Sequence, residues 1–116
     1  DRNENIRRIS EIAALFQDAG VITLVSFISP FRAMRQFARE RAGEGNFIEV
    51  YVNTDFETCK QRDPKGLYKK QIQQFTGKDS VYEEPLNPEI ILDTVDHTPY
   101  ECAMQIYERI WGERHE

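Results

Sequence analysis

The sequence has 116 residues, 40% hydrophobic and 30% charged, the composition of a globular chain that buries one core as one domain or part of one. No apolar run nears the roughly 20 residues of a membrane span, no secretory signal opens the chain, and a net charge of -5 argues against a general nucleic-acid binder. Cys59 and Cys102 are too few for a disulfide framework or a metal knuckle and fit a reduced, cytoplasmic setting.

Residues 3–19 read as an amphipathic helix, because Ile6, Ile9, Ala13, Phe16 and Ala19 recur three or four apart. Gly20 is a natural stop, since glycine accepts the left-handed backbone at a helix end. Residues 21–27 then form a nearly continuous apolar, β-branched run, the pattern of a strand covered on both faces. Ser29-Pro30 is a helix-start signal, a capping hydroxyl before a proline pre-set at the first helical position. That helix continues to about Arg41 with Phe31, Met34, Phe37 and Ala38 inward, and Gly43 and Gly45 break it. Residues 47–52 make a second strand. Thr54 or Asp55 caps a short helix carrying Phe56 and Cys59, which Asp63-Pro64 ends. A polar, Lys- and Gln-rich segment follows to residue 80. Residues 89–94 form a third strand, and 99–111 a closing helix through Cys102, Ile106 and Ile110.

Helix and strand alternate, so the expected architecture is α/β, with parallel strands and helices on both faces. Ligands in such sheets sit beyond the carboxyl ends of the strands, which selects the loops after Phe27, Val52 and Thr94. Charge is unevenly spread: residues 1–78 hold 13 Lys/Arg against 10 Asp/Glu, and 79–116 hold 2 against 10. Lys60, Arg62, Lys65, Lys69 and Lys70 crowd a short stretch that either binds a small anion or is a solvated basic face.

Four segments in order resemble the adenylylsulfate (APS) kinase family: Arg2-Asn3-Glu4-Asn5-Ile6-Arg7-Arg8, Ser26-Phe27-Ile28-Ser29-Pro30-Phe31-Arg32, Arg62-Asp63-Pro64-Lys65-Gly66-Leu67-Tyr68-Lys69-Lys70, and Phe75-Thr76-Gly77 with Asp79-Ser80. Phe47-Ile48-Glu49-Val50 and Ile91-Leu92-Asp93-Thr94 resemble the family's core strands. The resemblance implies a P-loop kinase-like three-layer fold. It implies an enzyme that phosphorylates the 3′-hydroxyl of adenylyl sulfate with ATP and Mg²⁺ to give PAPS, the activated sulfate donor. A homodimer or a fusion with ATP sulfurylase is the assembly it implies.

By the same resemblance Arg2 and Asn5 grip the sulfonucleotide; three apart, they share a helix face, although Asn5 also suits a plain cap. Ile28 and Ser29 present the turn after the first strand to the substrate, and the family's serine has also been assigned as a phosphorylated position; a simple N-cap is the competing role. Lys65, Gly66 and Leu67 supply a charge, a close backbone approach and an apolar contact within a lid at about 63–80. Phe75 corresponds to the aromatic that stacks on the substrate's adenine, with anchoring of the loop as its alternative. Arg62 resembles the residue packing on ATP's adenine, with His97 to Cys102 as the other wall, or is only a helix-terminal cation. His97 and His115 have no companions at metal-ligand spacing, and the cysteines also suit core positions.

A P-loop ends in Gly-Lys-Ser/Thr, because its amides and lysine cradle the phosphates. The Gly-Lys here is Gly77-Lys78, followed by Asp79 and with no glycine five positions before Gly77. The expectation is therefore the kinase domain's part after the P-loop, with the P-loop strand missing, a lid that is either shortened or partly missing, and no activity for residues 1–116 alone. A non-catalytic domain that senses PAPS or APS is the alternative reading, and a P-loop kinase for another acceptor is a third.

Overall fold

A computed structural model of the chain describes residues 2–62 and 81–112, apart from the side chains of residues 2, 3 and 56. Helices α1 (Arg2–Asp18) and α2 (Arg32–Ala42), strand β1 (Val50–Asn53), helix α3 (Phe56–Arg62), strand β2 (Ile90–Asp93) and helix α4 (Pro99–Trp111) follow in that order. The architecture is α/β with a parallel sheet, as the alternation predicts. The chain divides into two units, Asp1–Glu49 with Tyr82–Leu86, and Val50–Val81 with Asn87–Glu116.

In the first unit α1 packs on α2. Ile6, Ser10 and Ala14, four apart, form the buried stripe of α1, and Met34 is buried on α2. The stripe is turned from the predicted one: Phe16 is half exposed. The buried Ser10 hydroxyl donates to the Ile6 carbonyl one turn back, which satisfies it locally at 2.7 Å. Near the helices' C-terminal ends, Gln17 Nε2 donates to the Ala42 carbonyl at 2.9 Å and Arg41 meets Glu11 at 2.6 Å. Near their N-terminal ends, Ile6 shares a groove with Phe31 and Met34. The two helices therefore run the same way. The 17 residues of α1 span ~25 Å at 1.5 Å each. The return run over 19–31 covers that distance easily, reaching ~40 Å when extended.

That return run corrects the first predicted strand. Residues 21–27 form no strand, and their apolar side chains are exposed. β-branched residues favour extended backbone, but a strand exists only through a ladder, and among the described residues none pairs with this run.

The start of α2 is the second correction. Ser29 is not its cap; the helix begins after Phe31, which makes no side-chain capping bond. The Glu83 carboxylate, 51 positions away from Arg32, accepts from the Arg32 N–H at 2.8 Å and caps the helix instead. Ser29 sits at φ +43, in the left-handed region that non-glycine residues seldom occupy. Beside it Arg35 reaches into the unit. Arg35 Nε lies 2.9 Å from Glu49 Oε2 as an ion contact, with the two side chains only 11% and 15% exposed.

In the second unit β1 and β2 pair in parallel, Val50 opposite Ile90 through Asn53 opposite Asp93. Ile90 and Leu92 point to the buried face and Ile91 away from it, the alternation of a strand covered on one side. Helix α4 packs on β2, and Cys102 is its buried residue. Its start is as the sequence suggests: Thr98 and Glu101 form a reciprocal capping box ahead of Pro99. Asp55 caps α3, its carboxylate accepting from the Thr58 N–H and hydroxyl at 2.8 Å each.

Replacing Glu49 with alanine leaves the Arg35 guanidinium largely out of water beside a lost countercharge. The expected cost is about 3 kcal/mol, read as a lower urea midpoint; an unchanged midpoint would contradict the role given to the pair.

Candidate functional site

Two clusters emerge, one in each unit. In the first, the turn at residues 28–31 is built as a fixed feature rather than a loose loop. Arg35 Nη1 donates to the Ser29 carbonyl, and Nη2 to the Glu83 carbonyl. The Glu83 N–H donates to the Pro30 carbonyl at 2.8 Å, and Arg32 Nε to the Glu84 carbonyl at 2.8 Å. The Arg35 guanidinium also lies over the Tyr82 ring, 5.3 Å from its centroid. Segment 82–84 is thus sewn to the turn by main-chain and charged hydrogen bonds. Beside it, a groove of about 340 Å³ is lined by Ile6, Arg7, Phe31, Ala33, Met34 and Phe37. Arg7 is not a spare cation there. It pairs with Glu4 at 2.6 Å, and hydrogen bonds from Arg7 and then Arg8 hold the Glu4 carboxyl down to about 2.

In the second unit the carboxyl ends of β1 and β2 carry the other cluster. The Thr54 and Thr94 hydroxyls are hydrogen-bonded to each other, and the Thr94 N–H donates to the Asn53 carbonyl. Arg62, at the end of α3, reaches the same point: Nη2 donates to the Thr94 carbonyl at 3.0 Å. His97 Nδ1 lies 3.1 Å from the Asp93 carbonyl. Asp93 Oδ1 accepts from the Val95 N–H at 3.0 Å and the Asp96 N–H at 3.2 Å, folding the chain back after β2.

The predicted residues fall as follows. Ser29 and Ile28 lie on the fixed turn, Ser29 half-buried and Ile28 exposed. Asn5 is exposed on α1, one position before a groove-lining residue that shares the groove with Phe31, and position 2 lies in the first turn of the same helix. Arg62 and His97 each bond to the main chain at the end of β2, Arg62 to the Thr94 carbonyl and His97 near the Asp93 carbonyl, while Cys102 is buried on α4. Lys65, Gly66, Leu67 and Phe75, with the lid at 63–80, lie outside the described residues.

Arg35, Glu49 and Glu83 went unnoticed in the sequence. No charge pattern marks them: Arg35 and Arg32 reach main-chain carbonyls of Glu83 and Glu84, the Glu83 carboxylate takes the Arg32 N–H, and the countercharge Glu49 lies in the same basic stretch as Arg35. Their separation in sequence hid them.

No group of three or more metal-ligating side chains occurs among the described residues. The carboxylates at the strand ends are committed elsewhere, Asp55 to Thr58 and Asp93 to backbone N–H groups. The described residues therefore do not fit a protein-held Mg²⁺ site.

A model of the family described as adenylylsulphate kinase matches residues 1–93. The chain is 54% identical to the adenylyl-sulfate kinase of Vibrio cholerae, over 94% of this chain and 54% of that one. It is also 54% identical to the bifunctional enzyme NodQ of Rhizobium meliloti, over 93% of this chain and 18% of that one. The structure is similar to that of the Mycobacterium tuberculosis APS kinase CysC in complex with AMPPNP and APS, with a TM-score of 0.85 and 38% identity over 96% of this chain and 67% of that one. The chain spans about half the length of the Vibrio cholerae enzyme.

The Asp96 and then the Val95 N–H groups hold the Asp93 carboxyl below the ordinary aspartate value of 3.8. A lowered folded value means the turn's contribution is complete above the unfolded value and fades as pH falls through the folded one. Carboxyl-carbon NMR of Asp93 is expected to give a midpoint below 3.8, and a midpoint at or above it would contradict this geometry.

Proposed function

The chain belongs to the adenylylsulphate kinase family, and on that footing we propose that the protein carrying it transfers the γ-phosphate of ATP to the 3′-hydroxyl of adenylyl sulfate, making PAPS in sulfate assimilation. The observation that carries this reading is the structural likeness to a kinase solved in complex with both AMPPNP and APS.

Transfer of a phosphoryl group requires little covalent chemistry from a protein; it requires in-line positioning and neutralised charge. In this reading Arg2, Asn5, Ile28 and Ser29 contact the acceptor: Arg2 faces its phosphosulfate, Asn5 uses an amide that can both donate and accept, and Ile28 and Ser29 offer the turn. The Ser29 carbonyl is engaged by Arg35, so the turn addresses the acceptor through N–H groups and the hydroxyl. Ser29 is assigned to binding rather than to a phosphoserine intermediate. Lys65, Gly66 and Leu67 add a charge, a close backbone and an apolar contact, and Phe75 stacks on the acceptor's adenine. Arg62 and His97 at the end of β2, and Cys102 on α4, are assigned to the adenine of ATP. The Mg²⁺ that accompanies ATP is given no ligand among the described residues.

The proposed setting is cytoplasmic, which fits two free cysteines; no described helix is long and apolar enough to cross a membrane. The assembly is proposed as a homodimer or a fusion with ATP sulfurylase, the latter supported by the likeness to the bifunctional enzyme NodQ.

The full-length protein is expected to release ADP from ATP only when adenylyl sulfate is present, with PAPS as co-product. Binding of PAPS without ADP release would mark a sensing domain instead. Phe75→Ala is expected to weaken adenylyl sulfate binding by about 1–3 kcal/mol, the worth of one stacked base, with a smaller effect on ATP. Equal losses for the two ligands would show that Phe75 only supports the fold.

A further inference from the structure

We infer that Arg35 is a positioning residue for the acceptor: its guanidinium fixes the Ser29 turn in the conformation that binding requires. This rests on the reading of residues 28–31 as part of the acceptor site.

Three nitrogens of one planar group serve three partners. Nε faces the Glu49 carboxylate at 2.9 Å, Nη1 the Ser29 carbonyl and Nη2 the Glu83 carbonyl. The two carbonyls come from stretches 54 positions apart, so the guanidinium is the piece that holds them in register. The Tyr82 ring covers one face of the group. Glu83 closes the arrangement from its own side, through its N–H to the Pro30 carbonyl and its carboxylate to the Arg32 N–H.

The backbone at Ser29 explains why such a clamp is needed. A serine at φ +43 persists only where its surroundings over-determine it. The capping bond that would draw a serine into an ordinary helix start is already supplied by Glu83. With its carbonyl held from behind by Arg35, Ser29 keeps its orientation whether or not a ligand is present. Preorganisation of this kind lowers the cost of binding without any contact to the ligand. A lysine cannot substitute: its single ammonium retains the charge opposite Glu49 but lacks the fork that reaches both carbonyls.

The test compares full-length wild type with Arg35→Lys and Arg35→Gln in three measurements: the KM for adenylyl sulfate at saturating ATP, the KM for ATP at saturating adenylyl sulfate, and amide hydrogen exchange at Arg32 and Glu83. Arg35→Lys is expected to raise the KM for adenylyl sulfate about tenfold, to leave that for ATP within about twofold, and to speed exchange at Glu83 while Ser10 and Ala14 on α1 keep their rates. An unchanged KM for adenylyl sulfate in both variants overturns the proposal. So does an equal rise in both KM values with faster exchange throughout α1, which would make Arg35 a general stabiliser. If wild type does not turn over adenylyl sulfate, the functional reading falls, and exchange alone then decides: faster exchange confined to Glu83 and Arg32 keeps Arg35 as the holder of the turn, and unchanged exchange removes it.

Discussion

A guanidinium that has left most of its water behind must find a partner for each N–H and a countercharge for the whole group, or the fold bears the cost of an orphaned cation. Arg35 finds its countercharge in Glu49 and acceptors for Nη1 and Nη2 in two backbone carbonyls, while Nε keeps an ion contact with Glu49 and no hydrogen bond, and much of the first unit follows from this. The demand for carbonyl acceptors draws segment 82–84 onto the start of α2. Once there, Glu83 caps the helix, and Ser29 is released from the role its position suggests. The unusual backbone at Ser29, the missing side-chain cap at Phe31 and the covered Arg32 N–H are one arrangement seen from three sides.

Local rules read well wherever a local rule was decisive. The closing helix from Pro99, the cap of α3 at Asp55, one of the two residues expected there, and the α/β alternation all depend on residues within a few positions of each other, and each stands in the structure as the sequence suggests. Two expectations failed for a shared reason. Residues 21–27 have strand composition, but composition cannot supply a ladder partner. Ser29-Pro30 has the chemistry of a helix start, but a carboxylate 54 positions after Ser29 took the capping role. Both outcomes were set by distant residues, to which propensity and periodicity are blind.

The candidate site divides along the same line. A topological rule selects the loops beyond β1 and β2 as candidates, and Arg62 and His97, proposed from the motif, bond to Thr94 and Asp93 there. The specific roles of Asn5, Ile28 and Ser29 came from motif wording alone. What the motif could not reveal is the support behind it. The residues proposed to face a ligand form a recognisable phrase, whereas those that hold the phrase in shape lie scattered at 35, 49 and 83.

The first unit is discontinuous in sequence: it runs to Glu49 and is finished by residues 82–86. On a ribosome adding ~5–20 residues per second, Glu83 follows Glu49 by about 2–7 s. Through that interval a nascent chain can form the Arg35–Glu49 pair, but it has no Glu83 carbonyl for the guanidinium and no carboxylate for the Arg32 N–H. The turn that would meet the sulfonucleotide is consequently among the last parts to mature. A chain arrested before residue 82 would carry every residue of the Phe-Ile-Ser-Pro phrase and none of the bonds from segment 82–84 that hold it.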